Sequence, residues 1–232
     1  MISAAFSPVY EKLGSQFENA TGHKLITARG PSMGDTPAAI PNRLRRGESA
    51  DIVILAAPSL ETLLRDGHVV AASRVDLARS SIGLAIKAGA PRPDIATVDA
   101  LKQTLLKAKS VVYSGSASGV YLATELFPRL GIADAMQAKS RKIEIGYVAE
   151  AVARGEAEIA LQQISELLAV PGIDLVGPLP DEVQLVTVFS AAITTKAREP
   201  EAAKALILFL TSPQADPVIR KAGLEPAASR IP

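Results

Sequence analysis

The chain has 232 residues and a mass of 24.2 kDa, which corresponds to between one and two domains at about 150 residues per domain. Lysine and arginine number 25 against 24 acidic residues, so the net charge is only +1. A charge this small does not attract nucleic acid or an anionic membrane. The absence of cysteine excludes disulfides, thiolate metal sites and cysteine nucleophiles. No apolar run approaches the ~20 residues that span a bilayer, and no signal-peptide pattern is visible, which leaves a mature, trimmed or cytoplasmic chain open.

The first third of the chain alternates short apolar runs with amphipathic stretches. Val9, Leu13 and Phe17 recur every four residues, which is typical of a helix that buries one face. The pattern predicts strands at 2–6, 25–29 and 51–57, and helices at 9–17, 38–46 and 60–65. This βαβαβα order favours a mostly parallel sheet covered by helices.

A second set of elements follows. The pattern predicts strands at 80–89, 110–114 and 158–164, helices at 97–109, 120–126 and 147–154, and a short helix from Ser165. Thr97 is the expected cap of its helix. The stretches 89–94 and 171–182 are rich in turn residues and are predicted to be surface connections. Two helices, at 200–210 and 213–222, end the pattern.

Two long segments, 75–87 and 183–196, flank the second set and are too long for single ordinary strands. We therefore expect both to cross between two lobes. Lobe I comprises 1–78 plus 192–232, lobe II comprises the inserted residues 79–191, and a ligand cleft lies between them. The fold class predicted is α/β, with a mostly parallel sheet flanked by helices in each lobe.

Familiar catalytic signatures are missing from the sequence: it has no phosphate loop, dinucleotide-binding glycine motif, zinc-protease motif or serine-hydrolase elbow. His23 and His68 stand beside glycines without the spacing of metal ligands, so we expect surface or turn histidines. No metal and no cofactor is predicted.

Three loops that lead into predicted helices are the strongest candidates for binding. Each offers free backbone N–H groups, and a helix N-terminus favours an anion without lysine or arginine. Pro8 and Pro37 are read as helix starts. The alternative for Ser7 and Thr36 is that they only cap helices, and Asp35 is unexpected in an anion loop. The candidate residues are Ala5, Phe6, Ser7, Ser32, Met33, Gly34, Thr36, Ser116, Ala117, Ser118, Gly119 and Tyr121.

Four further positions complete the predicted site. Gly146 and Tyr147 precede a helix and offer another N–H group. Gln163 ends an apolar strand, where one of two consecutive glutamines should face the cleft because strand side chains alternate. Arg29 is a candidate cation for a carboxylate, with a solvated arginine as the alternative.

The sequence resembles the type II extracytoplasmic solute-binding proteins, within the molybdate-binding-protein-like group. The similarity is carried in order by ENATGHKL, GPSMGDTP, RLRRGESADIVILAA, SGSASGVYLATELFPRLGI, AVARGEAEIALQQISEL and LTSPQADPVIRKAGLEP, and it spans nearly the whole chain. The resemblance implies two α/β lobes, a periplasmic monomer, and delivery of a small anionic ligand to the permease of an ABC importer.

The resemblance also suggests which residues bind. Molybdate binders use serines in the first two loops, backbone N–H groups in the next two, and a tyrosine. Those positions fall on Ala5, Ser32, Ser118, residues 145–147 and Gln163 of this chain. Ala5 and Gln163 depart from the molybdate pattern.

The loop GPSMGDTP and the segment QQISE look more like a related branch that handles small organic acids and includes an aconitate isomerase. An isomerase needs a base to remove a carbon-bound proton, and Tyr147, Tyr121 and Asp35 are the candidates. We therefore expect a binding protein for an oxyanion or a small organic acid. The alternative is an isomerase of unsaturated carboxylic acids on the same scaffold.

Overall fold

The computed structural model describes residues 1–227, and its contacts divide the chain into two compact units. Unit one consists of Met1–Ser80 together with the described residues from Thr187 onward. Unit two consists of Ser81–Val186. The chain therefore leaves unit one after Ser80 and re-enters it at Thr187.

The N-terminal part of unit one alternates strands and helices. Its elements are β1 (Ile2–Ser3), α1 (Ser7–Thr21), β2 (Arg29–Gly30), α2 (Ile40–Arg45), β3 (Ile52–Ala56), α3 (Ala57–Arg65) and β4 (Val75–Ser80). All five residues of β3 are buried, as its continuous apolar sequence predicts. Short 3₁₀ turns lie at Ala4–Phe6 and Ala71–Ser73.

Unit two contains the elements between Ser81 and Val186. They are β5 (Ile82–Lys87), α4 (Val98–Lys107), β6 (Val111–Ser114), α5 (Ala117–Tyr121), α6 (Phe127–Arg129), α7 (Ala133–Lys139), β7 (Ser140–Ile143), α8 (Ala149–Ala153), β8 (Ile159–Gln163), α9 (Ile164–Leu168) and β9 (Ile173–Pro178). A π-helical segment, Leu122–Leu126, joins α5 to α6. The predicted cap Thr97 is confirmed, because its hydroxyl oxygen accepts a hydrogen bond from the Ala100 amide at 3.1 Å.

The chain completes unit one after residue 186. The elements are β10 (Thr187–Ile193), α10 (Pro200–Leu210), α11 (Asp216–Lys221) and β11 (Glu225–Pro226). Two further 3₁₀ turns lie at Asp181–Val183, in unit two, and Pro213–Ala215.

Each unit is built on one mixed sheet. In unit one the strand order is β11-β4-β10-β3-β1-β2, with β1 parallel to both neighbours and β10 antiparallel to both of its own. In unit two the order is β7-β6-β8-β5-β9, with β6 parallel to both neighbours and β5 antiparallel to both of its own. The α/β class is confirmed, and the sheets are mixed rather than mostly parallel because each long returning strand runs against its neighbours.

The parallel strands determine where the loops of interest lie. Strands β1, β2 and β3 run in one direction, so the loops that follow them leave the same edge of the first sheet. Strands β6, β7 and β8 do the same in the second sheet. Ligands of α/β sheets bind at such carboxyl ends.

Two strand predictions in unit one were too long. The predicted strand at 2–6 ends at Ser3, because the chain turns into a 3₁₀ helix at Ala4–Phe6. The predicted strand at 25–29 is reduced to Arg29–Gly30, because the ladder with β1 begins where Ile2 lies opposite Arg29. Ile26, apolar and within the predicted strand, is fully exposed.

Other differences arise at edges and turns. The stretch 171–182, predicted to be a surface connection, contains β9, an edge strand in which Gly177 and Pro178 are tolerated. Helix α7 and strand β7 were not predicted. Pro37 lies in a turn instead of starting a helix: α2 begins at Ile40, with Pro41 in its first turn.

Candidate functional site

In unit one, a buried serine ties the loop after β2 to the end of β3. Ser3 lies opposite Gly30 in the parallel ladder. The hydroxyl oxygen of Ser32, whose side chain is fully buried, accepts a hydrogen bond from the amide of Ala56 at 2.9 Å. Ser32 therefore joins the loop after β2 to the end of β3, and this bond holds the loop in place.

The rest of the loop after β2 is held by Asn42 of α2. The Asn42 amide nitrogen donates to the carbonyl oxygens of Gly34 at 3.1 Å and Thr36 at 3.0 Å. Gly34 has a φ of 106°, which a residue with a side chain rarely adopts. An added Cβ at Gly30 would overlap the carbonyl oxygen of Ala38, so the loop folds closely back on β2.

The loop after β1 is buried, and its side-chain hydrogen bond joins Ser7 to Ser3 at the two ends of the loop. Ala5, Phe6 and Ser7 are almost completely buried. The Ser7 hydroxyl donates to the Ser3 carbonyl oxygen at 3.4 Å, a long bond, and it makes no capping bond at the start of α1. The alternative that Ser7 only caps α1 is therefore wrong, since Ser7 is already the first residue of the helix.

The remaining predicted residues of unit one lie nearer the surface. Met33, Gly34 and Thr36 are half-buried, and Asp35 is exposed. The guanidinium of Arg29 donates to Glu11 at 2.6 Å, and both side chains are more than half exposed. This ion pair corresponds to the solvated alternative for Arg29, with Glu11 as its partner.

In unit two, the loop after β6 is compact and rich in hydroxyls. The Ser114 and Ser118 hydroxyl oxygens are 3.1 Å apart, and both side chains are buried. The amide of Gly115 donates to the carbonyl oxygen of Ile143 at 2.8 Å, which joins this loop to the end of β7. An added Cβ at Gly119 would overlap the carbonyl oxygen of Ser114, so glycine is required at the start of α5.

The loop after β7 lies against the loop after β6. An added Cβ at Gly115 would overlap the carboxylate of Glu144, whose backbone is also within contact distance. Gly146 has a φ of 99°, and the side chain of Tyr147 is half-buried. The amide of Val148 donates to the side-chain oxygen of Gln162 at 3.0 Å. Unit two thus brings 114–119, 144–148 and the end of β8 together.

The two glutamines that end β8 have different surroundings. Gln162 is almost completely buried, and its amide nitrogen donates to Glu166 of α9 at 2.8 Å. Gln163, the predicted site residue, is also buried and lies opposite Ile82 on β5. Burial raises the pKa of Glu166 from 4.5 to about 8, against a smaller opposing effect of the Gln162 hydrogen bond. Glu166 is therefore mainly neutral at pH 7.

The hydroxyl group of Tyr121, a predicted site residue and candidate base, already makes a hydrogen bond within unit two. It donates to the carbonyl oxygen of Val183 at 2.8 Å, and burial raises the pKa of the phenol. A phenol with a raised pKa is a weaker base catalyst at neutral pH, since less of the phenolate is present. Ser116 is half-buried, and Ala117 and Ser118 are buried at the start of α5.

A cavity of about 500 Å³ lies elsewhere in unit one. Its lining includes Met1, Ile52, Tyr10 and Leu206, at the amino ends of β1 and β3. None of the predicted site residues lines it. Among residues 1–227 no group of three histidine, cysteine or acidic residues could hold a metal ion, and no helix is both long and apolar enough to cross a membrane.

Each unit carries hydroxyl-bearing loops at the carboxyl ends of its parallel strands, the edge at which α/β sheets bind ligands. The family model for bacterial extracellular solute-binding protein matches residues 1–225. The chain belongs to that family.

Three comparisons show which known proteins the chain is similar to. Over 214 residues the chain is 51% identical to aconitate isomerase of Pseudomonas sp., covering 92% of this chain and 82% of that protein. It is 29% identical to the molybdate-binding protein ModA of Azotobacter vinelandii, covering 96% of this chain and 87% of that one. The solved structure of the Azotobacter vinelandii periplasmic molybdate-binding protein has a TM-score of 0.76 at 20% identity over 96% of each chain, which shows the shared fold.

The sequence patterns missed the side chains that hold these loops. Asn42 and Glu166 were not predicted to matter, whereas Gln162 was noted only as one of two consecutive glutamines of which one should face the cleft. One signal was available: Gln162 and Glu166 are four residues apart in a stretch of buried residues, and a carboxyl group there needs a partner.

Proposed function

We propose that the protein binds aconitate, an unsaturated tricarboxylic acid, and interconverts its cis and trans isomers. The observation that carries this proposal is the 51% identity to aconitate isomerase over 92% of the chain. The loops described above support it, because hydroxyls and backbone N–H groups are suited to bind carboxylate oxygens.

The proposed reaction is a proton shift with no net change in composition. A base removes a proton from the CH₂ carbon of aconitate, and the double bond moves to that carbon. A proton is then added at the other end of the three-carbon unit, which gives the second isomer. The reaction requires no oxidant or reductant, and a positioned side chain contributes typically 10²–10⁴-fold to such a proton transfer.

Two departures from the molybdate pattern favour a carboxylic acid over molybdate. The resemblance to the molybdate binders assigns a serine and a tyrosine to the positions of Ala5 and Gln163, so two hydroxyl donors are replaced. The Gln163 side-chain amide can donate two hydrogen bonds, and both can go to the oxygens of one carboxylate.

The direct test is to incubate the protein with trans-aconitate and to follow cis-aconitate by ¹H NMR. We expect conversion from either isomer to the same equilibrium mixture. In D₂O the product should contain solvent deuterium at the carbon that gains the proton. Tight binding of aconitate without conversion would exclude the enzymatic part of the proposal, and absence of binding would exclude it entirely.

The base can be sought among three ionisable side chains on the loops, Asp35, Glu144 and Tyr147. Each is replaced alone, by Asn, Gln and Phe. We expect one replacement to lower kcat at least about 100-fold while aconitate affinity changes by much less. The Tyr121→Phe variant is the comparison, since the Tyr121 hydroxyl is committed to Val183. Loss of kcat in that variant alone would reassign the base.

A second candidate function is capture of a small anion for an ABC-type importer in the periplasm, by a monomer. The 29% identity to a molybdate-binding protein supports it. Thermal unfolding with molybdate, tungstate, sulfate and tricarboxylates separates the two candidates. A ligand at 100 times its Kd stabilises the native state by about 2.7 kcal/mol, which is readily detected. Stabilisation by molybdate alone, without aconitate turnover, would favour the importer candidate.

A further inference from the structure

Glu166 is a buried acidic group that the proposed site does not use. Glu166 is 6% exposed, and among residues 1–227 it is the one buried side chain of the aspartate, glutamate, lysine and arginine types. A buried carboxyl group is retained only where hydrogen bonds or function offset its desolvation. The contacts of this carboxyl therefore require an explanation.

The carboxyl group ends a chain of hydrogen bonds through three elements. The Val148 amide, before α8, donates to the side-chain oxygen of Gln162, and the Gln162 nitrogen donates to Glu166 of α9. The orientation of the Gln162 amide is fixed, since a backbone N–H can only donate and must face the amide oxygen.

The chain of hydrogen bonds connects two parts of the candidate site. Val148 directly follows Gly146 and Tyr147, two predicted ligand residues. Gln162 directly precedes Gln163, a third. A change in the carboxyl group at Glu166 is therefore transmitted through one side chain to the turn that precedes α8 and to the end of β8.

No charged neighbour stabilises the ionised form of Glu166 among the described residues of the elements packed around it. The charged side chains on β5, β9 and α8 are Lys87, Asp174 and Glu150, and all three are exposed. The ammonium group of Lys87 lies instead near Gly155, and Arg154 pairs with Glu156 at 2.6 Å. None of these groups contributes to the shifted pKa of Glu166, which burial raises to about 8.

We propose that the neutral carboxyl group of Glu166 positions Gln162 and, through it, the turn at Gly146–Val148, so that ligand affinity depends on its protonation. This inference rests on the proposed function for the identity of the ligand. Ionisation creates a buried charge whose desolvation the Gln162 hydrogen bond offsets only in part, so the surrounding loops must then admit water or move. Glu166 acts as a positioning residue, since it acts through Gln162.

The size of the effect follows from the fraction of neutral Glu166. If only that form binds, the apparent Kd is the intrinsic Kd divided by its population. With a pKa of about 8, the neutral form falls to about one tenth at pH 9, so trans-aconitate should bind about tenfold more weakly at pH 9 than at pH 7. Ordinary carboxylic acids are already ionised over this range, so the ligand does not add to the change.

The test uses E166Q and the matched control E150Q. Glutamine keeps an oxygen acceptor for Gln162 and cannot ionise, whereas Glu150 is an exposed acid on neighbouring α8. Affinity for trans-aconitate is measured by calorimetry at pH 7 and pH 9. The Val148 amide resonance is followed by ¹⁵N NMR between pH 6 and pH 9.5, without ligand.

We expect the Val148 resonance to titrate near pH 8 in the wild-type protein and in E150Q, and to be flat in E166Q. The tenfold weakening at pH 9 should disappear in E166Q alone. An E166Q protein that keeps the wild-type affinity profile overturns the proposal, as does a Val148 resonance without titration. If trans-aconitate does not bind at any pH, the proposed function fails, and the Val148 titration alone decides whether Glu166 controls the turn. If E166Q does not fold, the titration of the Val148 resonance in the wild-type protein decides whether Glu166 controls the turn.

Discussion

The two units hold their loops in different ways. In unit one the loop after β2 is fixed by groups that do not titrate near neutral pH: Ser32 binds Ala56, Asn42 binds Gly34 and Thr36, and the Arg46 guanidinium donates to the Pro37 carbonyl oxygen. In unit two the turn before α8 depends on Gln162, and Gln162 depends on the ionisable Glu166. Both arrangements satisfy buried polar groups, but only the second makes loop position sensitive to pH over the neutral range.

The largest expected effect is that of Gly119→Ala in unit two. The new Cβ overlaps a backbone carbonyl oxygen, which cannot move aside without shifting the loop after β6. We expect a loss of about 3 kcal/mol in the free energy of unfolding, measured by urea denaturation. Gly14→Ala is the control, because an added Cβ there comes within 3.1 Å of the end of the flexible Leu25 side chain and meets the Tyr10 ring at an ordinary contact distance of 3.7 Å. Equal effects in both variants would contradict the close approach at Gly119.

The next largest effect is the pH dependence of stability in unit two. Glu166 has its pKa raised in the folded state, so between about pH 4.5 and pH 8 the unfolded state binds fewer protons and stability falls as pH rises. Between pH 5 and pH 7 the wild type should lose about 2.5 kcal/mol of unfolding free energy relative to E166Q. Urea denaturation at several pH values measures this difference, and E150Q should follow the wild type. Parallel curves for wild type and E166Q would mean that Glu166 is ionised in the folded protein.

Removal of the central amide in each unit compares the two arrangements directly. Gln162→Leu leaves a buried N–H and a buried carboxyl group without their partner, and should cost about 2 kcal/mol of unfolding free energy. Asn42→Leu in unit one should cost about 1 kcal/mol, because Asn42 is only half-buried and water replaces it in part. Both losses are measured by urea denaturation. A larger loss for Asn42→Leu than for Gln162→Leu would show that the loops of unit one depend more on Asn42 than those of unit two depend on Gln162.

The smallest expected effects on stability are those of replacing two serines of unit one, and the two losses should differ. Ser32→Ala deprives the Ala56 amide of its acceptor in a buried environment and should cost about 1 kcal/mol. Ser7→Ala removes only a 3.4 Å bond within the start of α1 and should change stability by less than about 0.5 kcal/mol. Thermal unfolding of both variants checks this, and a larger loss for Ser7→Ala would assign the Ser7 hydroxyl a structural role that its geometry does not indicate.

The sequence by itself determined the elements that local patterns encode. The alternation of apolar runs and amphipathic stretches predicted the α/β class, the buried strand β3 and the helix α4 with its Thr97 cap, because periodicity and capping act within a few residues. The hydroxyl-rich and glycine-rich loops were visible for the same reason, and the motif order indicated the family.

The tertiary structure alone decided what depends on distant partners. Strand β9 forms because β5 offers an edge to a sequence that looks like a loop, and residues 25–28 stay outside β2 because the ladder begins only at Arg29. The tie between Ser32 and Ala56 spans 24 residues and the tie between Val148 and Gln162 spans 14. Whether Glu166 is charged depends on burial by all of its neighbours, and no local pattern records that burial.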